Sequence, residues 1–125
     1  MAIRLDRGTI GAHSHELPRG PRVRLRLAQL RDVSAIQSLV RAQGLGTEQV
    51  AIAGLVQSDP RRRVVICASA WIGSSETIVG FGSIEVGAAQ PETLVVDREL
   101  TGGLDELIAD ALLTRSAAIA ARRAA

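Results

Sequence analysis

Two long β-branched stretches restrict this chain to folds built on a central sheet. Residues 63–72 (RVVICASAWI) and 77–86 (TIVGFGSIEV) stand on either side of Gly73-Ser74-Ser75-Glu76. Valine and isoleucine are stiff at χ1 and pack well on a pleated surface. Glycine and serine supply turns. The segment therefore predicts an antiparallel hairpin. Gly80 and Gly82 lie two apart, hence on one face, and mark a place where a helix or another backbone approaches closely.

Other elements assemble around this hairpin. Val23-Arg24-Leu25-Arg26-Leu27 alternates strictly, which predicts a half-buried strand with arginines on its open face. Asp32 precedes Val33, Ile36, Leu39 and Val40 and is expected to cap a helix that Gly44 stops. A second helix follows, capped by Thr47, with Glu48 in its first turn, Val50, Leu55 and Val56 as contacts, and Pro60 as its bound. Thr93-Leu94-Val95-Val96 predicts a short strand. Leu104, Leu107, Ile108, Ala111, Leu112, Arg115, Ala118, Ile119 and Arg122 share one face of a long final helix. Its acids lie at the start and its arginines at the end, which complements the helix dipole. Residues 1–21 read as a flexible basic leader with a short strand at residues 2–5, and residues 22–125 as one domain. The expected order is β-α-α-β-β-β-α.

Composition narrows the function classes. A chain of 125 residues holds one core. With 46% apolar and 22% charged residues, wholesale disorder is excluded. No apolar run reaches the roughly 18–20 residues of a membrane span, and the first residues lack the apolar stretch of a secretory signal. Cys67 is the one cysteine, so no internal disulfide forms, and its apolar surroundings predict a buried, unreactive thiol. These features point to a cytoplasmic protein without a membrane partner. Lysine is absent, which excludes a Schiff-base or P-loop lysine. Residues 1–31 carry seven arginines against Asp6 and Glu16, a net +5, while residues 32–125 carry eight arginines against eleven acids, a net −3. The basic end could meet a phosphate or an acidic surface. With Trp71 and Phe81 as the whole aromatic set, however, a nucleic-acid partner is not expected. His13 and His15 form a pair without a third ligand, so no metal is expected.

The order of elements, the opening strand 23–27 with Asp32, the hairpin, and the segment Leu94-Val95-Val96-Asp97-Arg98-Glu99 followed by Gly102-Gly103-Leu104 together resemble the GNAT (GCN5-related) acyl-CoA N-acyltransferases over residues 22–122. The resemblance implies an α/β (α+β) fold with a mixed, mainly antiparallel sheet flanked by helices. It also implies that the second half of the family's fold is missing. By the same resemblance, acetyl-CoA would lie with its pyrophosphate on the backbone N–H groups ahead of the last helix. Val95, Val96, Thr101, Gly102, Gly103 and Leu104 are then the cofactor-binding candidates. A helix N-terminus favours anions, and glycine permits close approach. Leu100 stands where the family has a basic or amide residue, and Asp105 where it has a small one, so the motif is degenerate. The tyrosine that commonly protonates the leaving thiolate has no counterpart.

Acyl transfer to an amine needs a base and an oxyanion donor. The candidate bases are Glu85 and Glu92. Solvated strand-end carboxylates are the plainer reading of both. Arg61-Arg62-Arg63 could hold the 3′-phosphate of coenzyme A, or could form a solvated basic turn. Three functions stand open: an N-acyltransferase acting on a small amine or a protein amine, an inactive GNAT-like regulatory or interaction module, and an unrelated small α/β domain. In the first two, a homodimer or a partner chain is expected to cover the open edge of the sheet.

Overall fold

The computed structural model describes residues 14–16, 22–45, 49–100 and 102–124. Its strands are β1 (Ser14–Glu16), β2 (Arg22–Leu27), β3 (Arg63–Ile72), β4 (Ser75–Glu85) and β5 (Thr93–Val96). They form one antiparallel sheet in the order β1-β2-β3-β4-β5. Its helices are α1 (Val33–Ala42), α2 (Gln49–Val56) and α3 (Leu104–Ala124), with a single 3₁₀ turn at Leu30–Asp32 ahead of α1. From β2 onward the order is β-α-α-β-β-β-α, as expected. One strand was not foreseen: Ser14–Glu16, within the stretch read as leader, pairs with Arg22–Arg24. The strand expected at residues 2–5, the cap Thr47 and the first-turn Glu48 lie outside the described residues.

The sheet is covered on both sides. On one face α3 packs over Val23, Leu25, Val64, Ile66, Ala68 and Ile84. On the other, α1 and α2 bury Ile36, Leu39, Val40 and Ile52 against Val65 and Phe81. Burial on both faces explains why β3 is a continuous apolar run while β2 alternates. Each fully buried Ile, Leu or Phe contributes roughly 1.5–3 kcal/mol relative to exposure, so these two clusters outweigh any single polar contact.

The hairpin closes on Gly73 and Ser74, with Ile72 opposite Ser75. Gly73 has φ +64° and, among the described residues, no non-glycine residue has positive φ, so only the first of the two turn residues takes the left-handed region, as in a type II′ turn. A register break interrupts the ladder. Ala68 pairs with Gly80, but Ser69 pairs with Ile78, so Val79 is an extra residue on β4. The bulge places Val79 in the cluster beneath α3 and Ile78 against the cluster beneath α1.

The two strand glycines meet the expected helix. A Cβ at Gly80 would stand 2.5 Å from Ile108 Cδ1, and one at Gly82 would stand 2.9 Å from Leu112 Cδ1 and 3.1 Å from the Thr93 carbonyl. The buried stripe of α3 runs Leu104, Leu107, Ile108, Ala111, Leu112, Ser116 and Ile119. Ser116 therefore replaces the expected Arg115 and Ala118 on the inner face, because i+4 and i+7 from Leu112 continue the stripe. Its buried hydroxyl accepts the Gly87 N–H at 2.9 Å.

Gly82→Ala is expected to lower stability by about 1–3 kcal/mol, through overpacking against α3 and backbone. Gly80→Ala should cost less, because the Ile108 methyl can rotate away. Urea titration of both variants checks the ranking.

Candidate functional site

The residues expected to bind a cofactor fall along the sheet's last strand and the start of α3. β5 is the terminal strand, so one of its edges is unpaired within the described sheet. Val95 packs toward the α1 cluster and Val96 toward the α3 cluster. Gly102 and Gly103 both have positive φ, 69° and 94°, and turn the chain into α3. The Leu107 N–H donates to the Gly103 carbonyl at 2.9 Å, which opens the helix. Leu104 is buried in the core beneath α3. Leu100 packs on the same core, where a basic or amide side chain would not fit comfortably. Asp105 and Glu106 occupy the exposed first turn of α3. Thr101 lies outside the described residues.

The candidate bases stand elsewhere. Gly80 pairs with Val96 and Ser83 with Thr93, so β5 runs from the far end of β4 back toward its bulge. Glu92 precedes the Thr93 end, about 13 Å along the strand from Val96 at about 3.3 Å per residue. Its carboxylate is ion-paired with the Arg63 guanidinium and accepts from the Ser83 hydroxyl at 3.1 Å. Arg63 in turn donates to the Ser58 hydroxyl at 3.0 Å. Glu92 is thus a clamp joining β5, β4 and the start of β3. Glu85 is exposed opposite Arg63, at that same end.

The end of the sheet near Asp97 holds a different constellation. Arg26, on the open face of β2, forms two parallel hydrogen bonds to Asp32, at 2.7 and 2.8 Å. Asp32 also accepts the Gln29 N–H at 2.8 Å. Its role differs from the one expected. It does not cap α1 through its side chain; it closes a capping box on the preceding 3₁₀ turn and satisfies Arg26. Burial opposes the Asp32 charge, but the Arg26 and Gln29 hydrogen bonds outweigh it and hold the carboxyl below its ordinary range. The hydrogen bonds to Asp32 raise Arg26 further. Cys67 lies opposite Arg26, with Sγ 3.9 Å from Asp32 Oδ2. Burial pushes its thiol up to about 12, so it is no nucleophile.

A groove of about 520 Å³ opens beside this pair, between α1 and the hairpin. Arg26 and Asp32 neutralise each other in its wall. Glu76 and Asp97 also line it, and among the described residues no second cation does, so the groove is acidic. Asp97 is the first residue after β5. Its Oδ1 accepts the Glu99 N–H at 2.9 Å, and the neighbouring Arg98 N–H donates to Gln43 Oε1 at 3.1 Å, tying the loop to α1. The groove suits a cationic group rather than an anion.

No protein family, curated protein or solved structure matches this chain. Function therefore rests on the site itself. Among the described residues no group of three or more His, Cys, Asp or Glu is placed to hold a metal ion. Nor is any described helix long and apolar enough to cross a membrane. Arg26, Asp32, Glu76 and Asp97 escaped the sequence reading. Asp32 reads as an ordinary helix cap, and Arg26 as one of three similar arginines on a strand. The one usable signal was the spacing Gln29 to Asp32, which is that of a capping box.

Arg26→Met leaves Asp32 buried without its partner and is expected to cost about 3–5 kcal/mol. Chemical denaturation at neutral pH checks this. The depressed Asp32 contributes stability that is complete above an ordinary aspartate value of about 4 and is lost as pH falls through its lower folded value. Asp32→Asn should flatten the acid limb of a stability–pH curve. Cys67 should resist a thiol reagent at pH 8 in the native protein and react fully in denaturant.

Proposed function

We propose that this chain binds acyl-CoA along β5 and the start of α3, and transfers the acyl group to an amine seated in the acidic groove. One observation carries the reading. Asp97 both follows β5 directly and lines the groove, so the strand that would hold the thioester leads directly into a site for a cation. The loop it begins passes through two left-handed glycines into a helix N-terminus, where backbone N–H groups favour pyrophosphate. A cytoplasmic setting, where acyl-CoA is available, goes with this reading.

The chemistry divides among this chain's residues. An ammonium group is drawn to Glu76 and Asp97, and one of these carboxylates takes the proton that frees the amine, directly or through water. The amine nitrogen attacks the thioester carbonyl carbon. Alternate N–H groups of an edge strand face outward, so Val95 or Val96 presents one to the developing oxyanion. The nitrogen gives up its surplus proton to solvent, the C–S bond breaks, and the thiolate takes a proton from solvent, since the chain has no tyrosine. Glu85 and Glu92 act in this scheme as structural groups, because they stand at the other end of β5.

A second reading is favoured by Asp105, Leu100 and the exposed edge. A carboxylate on the first turn of α3 opposes pyrophosphate, and Leu94 is 39% exposed on a strand with an unpaired edge. An inactive GNAT-like module would use that edge to pair with a second copy or a partner chain.

Calorimetric titration with acetyl-CoA separates the two. Saturable binding that strengthens about tenfold in Asp105→Gly supports a cofactor site, since removing one unfavourable charge is worth about 1.4 kcal/mol at that ratio. Asp97→Asn should then reduce transfer to a cationic amine without loss of acetyl-CoA binding. No binding by either protein, with a concentration-dependent dimer in sedimentation, would sink the enzyme reading and leave the module.

A further inference from the structure

The far end of α3 carries a second charged feature that this function does not use. Arg61, Arg115, Arg122 and Arg123, together with Pro60 and Ile119, line a cleft of about 370 Å³. The arginines come from two distant segments, the turn that leads into β3 and the last three turns of α3. Arg123 Nη1 donates to the Arg61 carbonyl at 3.1 Å and holds the segments together. Among the described residues no carboxylate side chain lines the cleft. The nearest described pairing is loose, with Asp59 Oδ1 3.6 Å from Arg61 Nε and both side chains well exposed. Asp59 also accepts the Arg61 N–H at 2.9 Å, and that bond holds its carboxyl below the ordinary range and shapes the turn.

A simple role for these arginines is to complement the negative end of the helix dipole. That end carries roughly half an elementary charge. Four guanidinium groups exceed it several-fold, so the cleft keeps a net positive charge. Guanidinium groups bind phosphate oxygens in pairs of parallel hydrogen bonds, and several around one cleft select a ligand with several phosphates.

We infer that this cleft is a binding site for a compact, soluble polyphosphate anion, such as the di- or triphosphate group of a nucleotide. The site is separate from the one proposed for acyl-CoA. A helix of 21 residues is about 30 Å long, so its two ends cannot serve one pyrophosphate. The sheet-face arginines make a poorer site, because Asp32 neutralises Arg26 and Glu76 lies beside Arg22 and Arg24.

The test is calorimetric titration of the full chain with inorganic tripolyphosphate. Saturable one-to-one binding is expected, weaker at higher salt. Arg115→Gln/Arg122→Gln should lose at least about tenfold in affinity, as each charge-assisted pair is worth more than a neutral bond. Arg24→Gln, on the opposite side of the sheet, should bind as the natural chain does. Acetyl-CoA binding measured on the double variant should match that of the natural chain, which keeps the two sites distinguishable. Absence of saturable binding, or equal binding by the double variant, would overturn the inference. So would binding to vesicles containing phosphoinositide without binding of free tripolyphosphate, which would assign the cleft to a membrane surface.

Discussion

The contact between α3 and the two glycines of β4 sets the geometry of everything else. Without side chains at Gly80 and Gly82, Ile108 and Leu112 descend onto the strand's backbone. The helix is thereby fixed in height and rotation above the sheet. Its first turn is brought to the end of β5, and its last turns are brought beside the turn at Pro60. Both charged ends of α3 owe their neighbours to a contact made in its first half. Residues that carry no charge thus decide where the charges sit.

The Arg26–Asp32 pair plays a comparable role on the other face. Two charges withdrawn from water contribute little net stability even when well paired. Their value is directional. The guanidinium fork holds the 3₁₀ turn against β2, and so aims α1 across the sheet. The same arrangement leaves the wall of the groove electrically neutral, so that Glu76 and Asp97 determine its character.

Much of this was legible in the residues, and the reasons are physical. Elements with a strong period were placed well: β3 and β5 have the bounds their sequences suggest, and the glycine pair in β4 announced the helix above it. What escaped depends on contacts distant in the chain. Nothing local in Ser14–Glu16 marks a strand; it is one because β2 offers an edge. Glu92 looks like a free carboxylate until Arg63, twenty-nine residues earlier, is folded beside it. The acidic groove draws on β2, α1, β4 and the loop after β5, and no window of sequence contains it.

The extra residue at Val79 divides the hairpin into two mechanically distinct parts. Between the bulge and Glu85, each side chain's face is dictated by α3 on one side and α1 and α2 on the other. Beyond it, toward Gly73 and Ser74, most side chains are exposed and the ribbon projects past its helices. A bulge absorbs a change of phase between the two. Evolution can therefore lengthen, shorten or re-tip the outer ribbon, which carries Trp71 and Glu76, without re-solving the core. The wall of the groove that Glu76 supplies is the portion of this molecule most open to being retuned toward a new ligand.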